Sequence, residues 1–132
     1  MSLVGKILLA VAALSLFVAT ALGAYAAHGL DAVLEPRALE TFRTAVDYQF
    51  YHGLGMLAVA ALGERYEPAW QLKLAGWLFA AGTVLFSGTI YATALGAPDW
   101  LGSATPAGGL CFMAGWLVCA YAVWRAAPIV LR

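Results

Sequence analysis

Four long apolar segments limit what this chain can fold into. They cover about residues 7–27, 44–63, 72–95 and 105–124. Each is close to the roughly 20 residues that an α-helix needs to cross a bilayer. Backbone polar groups in lipid must bond within their own segment, so helices are expected. The sequence therefore predicts an all-α integral membrane protein, in which residues 1–132 form one domain of four transmembrane helices in an antiparallel bundle.

The composition supports lipid rather than water as the main solvent. Hydrophobic residues make up 64% of the 132 residues and charged residues 11%, against about 45–50% and about 25% in soluble domains. A soluble fold of this size could not bury so much apolar surface. The formal net charge is zero and there is no basic patch, so nucleic acid is not expected as a partner.

The first apolar segment also has features of a secretory signal peptide. Lys6 precedes its apolar core, and the small-residue run "AYA" at 24–26 resembles a cleavage site. We interpret the segment as an uncleaved span.

The distribution of basic residues predicts the orientation. With four spans, both termini and the connection at 64–71 share one face. That face carries five basic residues, namely Lys6, Arg65, Lys73, Arg125 and Arg132, and the opposite face carries Arg37 and Arg43. Lys and Arg favour the cytoplasmic side. We therefore expect both termini in the cytoplasm.

Residues 36–46, "PRALETFRTAV", read as a short interfacial helix between the first and second spans. The segment begins with proline, and Leu39, Phe42 and Val46 fall on one face while Glu40 and Arg43 lie off it. Such a pattern is typical of a helix at the membrane surface.

Polar residues inside the spans are expected to meet at one depth. His52 lies eight residues inside Thr44, roughly 12 Å at 1.5 Å per residue, and Ser87 lies eight residues from Leu95. Tyr48 and Tyr91 are each four residues from the same ends. Gln49 lies between these levels, and His28 and Thr105 stand at the ends of the other two spans. The pattern predicts a polar cluster in the outer half of the membrane, with His52 facing Ser87 and both termini on the other side.

Each of these residues also has a purely structural interpretation. His52 could be a neutral histidine that bonds between helices, and His28 a residue favoured by the dipole at a helix C-terminus. Ser87 could bond its own backbone, Thr105 could cap the fourth helix, and Asp47 could pair with Arg43 one turn before it. Their common depth favours a joint site.

Small residues indicate where the helices pack closely. Gly23 and Ala27 are four residues apart, Gly88 lies in the third span, and Gly108 and Gly109 open the fourth span. Such spacings let helix backbones approach each other in lipid. Cys111 and Cys119 are eight residues apart in one predicted helix, roughly 12 Å, so they cannot form a disulfide there.

Four motifs resemble a known family. They are "ALGAYAAHGL" at 21–30, "YQFYHGLG" at 48–55, "GTVLFSGTIYATAL" at 82–95 and "TPAGGLCFMAGW" at 105–116. In this order they resemble the bacterial inner-membrane family that includes YgdD and YwdK, domain-of-unknown-function family 423, to which the mitochondrial transmembrane protein 256 is related. The resemblance implies a four-helix inner-membrane protein and no particular activity. The family's motif positions fall here on Gly23, Ala27, His28, Gln49, His52, Ser87, Gly88, Tyr91, Thr105, Pro106, Gly108 and Gly109.

Several functions are compatible with this pattern. The preferred hypothesis is a non-enzymatic membrane module that binds a small molecule, a lipid headgroup or a quinone-like ring at the polar cluster, or docks a partner. The alternative is a small channel or transporter, which would require a homo-oligomer. A haem or metal protein using His28 and His52, and a hydrolase using Ser87 and His52, fit less well because no further ligand or orienting residue is evident. We therefore expect no cofactor, no metal and no catalytic residue.

Overall fold

A computed structural model describes residues 1–128 as four long helical rods with short connections. Arg132, counted above for the orientation, lies outside the described residues. The helices are α1 (Leu3–His28), α2 (Pro36–Leu62), α3 (Ala69–Gly82), α4 (Thr89–Ala94) and α5 (Thr105–Trp124). The segment Thr83–Gly88 is π-helical and joins α3 to α4, so Ala69–Ala94 is one rod of 26 residues, called here the third rod.

The connections are short and contain little regular structure. Two 3-10 helices, Leu30–Ala32 and Asp99–Ala104, lie between rods. Strand β1 (Tyr66–Glu67) pairs antiparallel with β2 (Ala127–Pro128), with Glu67 opposite Ala127. We call the end of the bundle with residues 1–2, 63–68 and 125–128 the terminal end, and the end with residues 29–35 and 95–104 the distal end.

Consecutive rods run antiparallel, as the contacts between their ends show. Ser2 at the start of α1 bonds to Glu64 just after α2. Ser87 in the third rod bonds to the carbonyl of Ala45 early in α2. Thr89 meets Thr105 at the start of α5. Each rod thus packs against the next in the chain, as the sequence predicts for an antiparallel arrangement.

Three of the rods are long and apolar enough to cross a membrane. Among residues 1–128 these are Leu3–His28, Ala69–Ala94 and Asp99–Trp124. Helix α2 does not reach the same apolarity, because its central turns carry Asp47, Gln49 and His52. The structure therefore supports a helical membrane protein with three apolar spans by composition, and leaves the role of α2 to be argued from its contacts.

The predicted interfacial helix is not a separate element. Residues 36–46 form the first part of α2, which continues to Leu62 over 27 residues, roughly 40 Å. Pro36 stands in the first turn, where its missing N–H costs nothing. No glycine or proline follows until Gly53, so nothing interrupts the helix between its surface-like start and its apolar end.

The interior is filled by aromatic and aliphatic side chains. The main core contains Ala12, Met56, Val59, Leu72, Ala75, Phe79, Phe112 and Ala122. A second core lies toward the distal end and contains Ala26, Leu30, Phe42 and Val46. Many large apolar side chains outside these cores are exposed, Phe17 and Leu117 among them, as expected of a surface solvated by lipid.

The π-helical segment allows α5 to approach the third rod closely. A Cβ on Gly108 would collide with the backbone nitrogen of Phe86 and lie 2.7 Å from the carbonyl carbon of Leu85. Thr89 donates to the carbonyl of Leu85 at 2.7 Å, and Thr83 donates to that of Phe79 at 2.9 Å. Hydroxyls in the wall of the rod thereby satisfy carbonyls that the irregular turn would otherwise leave weakly bonded.

A polar cluster fastens the terminal end. The Glu64 carboxylate accepts from the backbone N–H of Ser2 at 2.7 Å and from the Ser2 hydroxyl, and Lys73 lies 3.4 Å from it. The Ser2 hydroxyl also caps α1 by accepting from the N–H of Gly5 at 3.1 Å. Hydrogen bonds from Ser2 and the charge of Lys73 lower the pKa of Glu64 to about 2.

Candidate functional site

His52 is a buried polar side chain of α2 whose two ring nitrogens both have hydrogen-bond partners. It is 5% exposed, and its Nδ1 lies 2.7 Å from the carbonyl oxygen of Tyr48. Its Nε2 accepts from Nε1 of Trp116 at 3.1 Å. The imidazole lies almost parallel to the Phe112 ring, with centroids 3.5 Å apart and 10° between the planes. We call Tyr48, His52, Phe112 and Trp116 the His52 stack.

The partners of His52 fix its tautomer. An indole N–H only donates, so Nε2 must carry a lone pair. A backbone carbonyl only accepts, so Nδ1 must carry the proton and donate to Tyr48. The ring is therefore neutral, and both of its nitrogens are used within the protein. It orients two helices, α2 and α5, against each other.

A groove of about 520 Å³ opens beside this stack. Its lining is almost entirely aromatic and apolar, and consists of Tyr48, Tyr51, His52, Phe86, Gly109, Phe112, Met113 and Trp116. Phe86 stacks on Tyr48 with centroids 4.8 Å apart and 22° between planes. We call this space the aromatic groove. It faces outward, since Tyr51 is 59% and Met113 58% exposed.

A second set of polar contacts lies on the other side of α2. Gln49 donates from Nε2 to the carbonyl of Ser15 at 2.9 Å and accepts at Oε1 from the Tyr91 hydroxyl at 2.7 Å. The side chain is 4% exposed. This Gln49 bridge joins α1, α2 and α4. Its carboxamide is bonded at both ends and has little left to offer a ligand.

Ser87 and His52 are both buried but have different partners. The Ser87 hydroxyl is 0% exposed and donates to the carbonyl of Ala45 at 2.7 Å. Ala45 is seven positions before His52, roughly 10 Å along the helix. The predicted face-to-face pair therefore does not form. The sequence-based prediction measured the depth of His52 from Thr44 and that of Ser87 from Leu95. Helix α2 begins at Pro36 and α4 ends at Ala94, so Thr44 and Leu95 do not mark equivalent depths.

Thr105 and His28, the two residues expected at the ends of the fourth and first spans, have different surroundings. Thr105 is the first residue of α5 rather than its cap, and Ala104 takes the N-cap position. The Thr105 hydroxyl meets that of Thr89 at 2.7 Å and so joins the third rod to α5. His28 ends α1 and is exposed, away from the His52 stack and the Gln49 bridge.

Asp47 lies on the outside of α2. It is exposed, and among residues 1–128 the ion pair within 4.0 Å joins Lys73 to Glu64 rather than Arg43 to Asp47. Arg43 instead reaches the carbonyl of Ala26, 3.5 Å from its Nη2. Cys111 and Cys119 are both free thiols. Among residues 1–128, no group of three or more His, Cys, Asp or Glu side chains could hold a metal ion.

The small residues expected at helix contacts have different surroundings. Gly108 touches the backbone of the π-helical segment, whereas a Cβ on Gly109 would have one neighbour, Phe86 Cδ2, at 4.0 Å. Gly23 would meet Val46 Cγ1 at an ordinary 3.4 Å, and Gly88 the carbonyl of Thr83 at 3.8 Å. Ala27 is exposed. Gly109 therefore opens onto the aromatic groove instead of closing a helix contact.

Sequence reasoning missed four residues that complete these contacts. They are Ser15, Thr89, Phe112 and Trp116. Phe112 and Trp116 lie in the fourth motif, one helical turn apart, and that spacing places both on one face of α5. A tryptophan in the middle of an apolar span brings an N–H that needs an acceptor. This was the available signal for a partner of His52.

Comparison with known proteins identifies the family. The family described as "Protein of unknown function (DUF423)" matches residues 22–109. The chain is 41% identical over 117 residues to a UPF0382 membrane protein of Haemophilus influenzae, covering 89% of this chain and 93% of that one. It is 36% identical over 113 residues to the UPF0382 membrane protein YwdK of Bacillus subtilis, covering 86% and 92%.

A third relative is the UPF0382 inner membrane protein YgdD of Escherichia coli, 37% identical over 111 residues and covered to 84% in both chains. No solved structure matches the chain. The matched region contains α2, the third rod and the start of α5, and so includes His52, Gln49 and Gly109. The chain therefore belongs to the DUF423 family of membrane proteins.

Proposed function

We propose that this protein is a non-enzymatic membrane module that binds a flat, lipid-soluble ring in its aromatic groove. The observation that carries the proposal is the His52 stack. A neutral imidazole, held at both nitrogens, lies flat on Phe112 at 3.5 Å and forms part of the wall of an open groove of about 520 Å³. That volume is within the range of small-molecule sites, about 300–1,000 Å³.

The groove suits a ligand that arrives from the bilayer. Trp116 and Tyr51 are 47% and 59% exposed on the outer surface of the bundle, where lipid is the expected solvent. A ligand therefore reaches the groove sideways, without crossing a polar surface. Aromatic walls favour a ring that can stack, since ring pairs contribute about 0.5–1.5 kcal/mol beyond the area they bury.

Two phenol groups supply the polar part of the site. Among residues 1–128 the hydroxyls of Tyr48 and Tyr51, which line the groove, have no hydrogen-bond partner. Each can donate one hydrogen bond and accept others. A ring that carries carbonyl or hydroxyl oxygens, such as a quinone, would satisfy them in a medium that offers little water.

The proposal includes four membrane spans, with α2 as the second, in one domain of the inner membrane. Helix α2 packs between α1 and the third rod, and its buried Gln49 bonds to both neighbours, so this carboxamide need not face lipid. The described basic residues favour cytoplasmic termini: Lys6, Arg65, Lys73 and Arg125 lie toward the terminal end, and Arg37 and Arg43 toward the distal end.

The contacts also weigh against the other functions. The Ser87 hydroxyl bonds to a backbone carbonyl and is fully buried, so it is not placed to act as a nucleophile with His52. Phe42, Met56 and Phe79, each 0% exposed, fill the interior. A channel would therefore need a path between copies of the chain in a homo-oligomer.

Filling the groove tests the proposal with little risk to the fold. Gly109→Leu places a side chain in the groove, because the nearest atom to its Cβ would be Phe86 Cδ2 at 4.0 Å. The measurement is quenching of tryptophan fluorescence by a short-chain naphthoquinone and a short-chain benzoquinone, with the protein in lipid nanodiscs. We expect saturable binding by the unmodified protein and at least tenfold weaker binding by the variant, about 1.4 kcal/mol.

A matched control separates the groove from the helix surface. Ala120 is exposed on α5 and outside the groove, so Ala120→Leu adds the same side chain elsewhere and is expected to leave quinone binding unchanged. Equal binding by the Gly109 and Ala120 variants, or no saturable binding by the unmodified protein, would rule out the ring-binding proposal.

A further inference from the structure

A second pocket, of about 370 Å³, lies at the terminal end. It is formed where α3 begins and α5 ends, and the residues that matter for its chemistry are Glu67, Trp70, Gln71, Tyr121 and Arg125. The pairing of Glu67 with Ala127 between β1 and β2 holds its two walls together. Unlike the aromatic groove, this terminal pocket combines polar and apolar groups in similar amounts.

The terminal pocket contains opposite charges that do not neutralise each other. Glu67 and Arg125 both line it, yet among residues 1–128 they form no ion pair within 4.0 Å. One Glu67 oxygen accepts from the N–H of Ala69 at 2.9 Å. Arg125 donates one hydrogen bond to the Tyr121 hydroxyl at 3.3 Å, which within residues 1–128 leaves its other guanidinium N–H groups available to a ligand.

Gln71 supplies the second observation. Its Oε1 atom is buried. Among residues 1–128 it is the one buried side-chain nitrogen or oxygen atom that has no hydrogen-bond partner. A buried acceptor without a donor costs about 1–3 kcal/mol. An anion without an N–H or O–H group, such as chloride or sulfate, cannot correct this. A ligand that carries an N–H or O–H group as well as an acceptor for Arg125 would satisfy both side chains.

We propose that the terminal pocket binds the phosphoethanolamine headgroup of a membrane lipid. Its phosphate accepts hydrogen bonds from the Arg125 guanidinium, which matches phosphate geometry well. Its primary ammonium donates to Gln71 Oε1 and is attracted by the Glu67 carboxylate. The separated charges of the pocket thus match the separated charges of the headgroup.

The position of the pocket fits a lipid. Trp70 and Tyr121 line it and are 64% and 52% exposed, and Trp124, next to Arg125 in the chain, is 89% exposed. Exposed Trp and Tyr are typical of the level of the lipid headgroups. A lipid beside the third rod and α5 can therefore place its headgroup in the pocket while its chains stay in the bilayer.

The experiment compares lipids that differ in one feature. Delipidated protein in detergent receives equal amounts of phosphatidylethanolamine, phosphatidylcholine or phosphatidylglycerol, and native mass spectrometry measures the lipid retained. The choline group has no N–H, and the glycerol group has no positive charge. We expect phosphatidylethanolamine to be retained at least tenfold more than either. Equal retention of phosphatidylcholine or phosphatidylglycerol would overturn the proposal.

Soluble competitors distinguish a lipid from a soluble ligand with the same chemistry. Phosphoethanolamine and inorganic phosphate, each at the concentration of the lipid, are expected to leave the bound phosphatidylethanolamine in place. Displacement by either would assign the pocket to a soluble phosphate compound and overturn the lipid assignment.

Two variants test the assigned residues. Arg125→Gln is expected to weaken retention of phosphatidylethanolamine about tenfold, and Gln71→Met to abolish the preference over phosphatidylcholine. Gln71→Met removes a buried acceptor, so it should fold even if the arginine variant does not. Arg65→Gln is the control. Arg65 is exposed in the connection between α2 and α3 that also contains Glu67, and it does not line the pocket. Pocket variants that retain lipid as this control does would refute the assignment.

Discussion

Trp116 donates from Nε1 to Nε2 of His52 at 3.1 Å, and this bond decides which nitrogen of the histidine carries the proton. Trp116→Phe keeps an aromatic ring beside Phe79, which lies 4.7 Å from Trp116 between centroids, and removes the N–H donor together with part of the indole. The buried Nε2 then lacks a partner. We expect a loss of about 1–3 kcal/mol in the free energy of unfolding, measured by SDS titration in mixed micelles followed by circular dichroism.

The tautomer itself gives an independent measurement. In the unmodified protein, ¹⁵N chemical shifts of His52 should report a protonated Nδ1 and an unprotonated Nε2. His28, which is exposed, is the internal control, and its ¹⁵N shifts should be an average over the two neutral tautomers. A His52 spectrum that shows the proton on Nε2 would contradict the hydrogen bond from Trp116.

The Gln49 bridge should couple α1, α2 and α4 energetically. Gln49→Leu removes the hydrogen bonds to Ser15 and Tyr91 and leaves the Tyr91 hydroxyl without its acceptor. Tyr91→Phe removes the donor to Gln49 Oε1. Side-chain hydrogen bonds in membrane proteins average about 0.6 kcal/mol, with a maximum of about 1.7. A double-mutant cycle on the free energy of unfolding should give a coupling in that range between Gln49 and Tyr91. Additive effects of the two variants would show that the bond contributes nothing.

The sequence predicts this fold well because its main signals are local. Apolar segments about 20 residues long define α1, the third rod and α5, and the segment at 44–63 places Gln49 and His52 on α2. The interfacial helix was misjudged because a helix without glycine or proline continues across a change of polarity, as Pro36–Leu62 does. Contacts between rods are harder to predict from the sequence. They depend on how far one rod is shifted along its neighbour, and no single segment carries that information.

Ser87 shows this difficulty directly. Counting from segment ends aligned it with His52, but the packing aligns it with Ala45. Side chains also tilt toward the N-terminus of their own helix. Tyr91 therefore reaches back along the third rod to Gln49, although its ring also lies beside Phe42, 4.7 Å away. Trp116 was missed because it lies among apolar residues. A search for polar residues does not include tryptophan, although its indole carries one N–H donor.

Two adjacent glycines should respond in opposite ways to alanine. Gly108→Ala forces a methyl group against the backbone of Phe86 and Leu85, and such overpacking costs about 1–3 kcal/mol. Gly109→Ala meets only Phe86 Cδ2, at 4.0 Å, and should gain up to about 1 kcal/mol from helix propensity. The two variants, compared by SDS titration, control for each other. Equal destabilisation would mean that α5 is rotated relative to the π-helical segment.

Acid should release the terminal cluster in a defined range of pH. The pKa of Glu64 is lowered from 4.5 to about 2 by Ser2 and Lys73. A carboxyl with a depressed pKa in the folded state stabilises the fold above its unfolded pKa, and that contribution is lost as pH falls. Glu64→Gln should therefore be less stable than the unmodified protein at pH 7. The difference in stability between the two proteins should shrink between about pH 4.5 and pH 2. Thermal unfolding in detergent at a series of pH values measures it. Glu40→Gln is the control, since it removes a carboxylate from the exposed surface of α2, outside the contacts with Ser2 and Lys73. A Glu64→Gln difference that stays constant down to pH 2 would mean that the carboxylate is not held by Ser2 and Lys73.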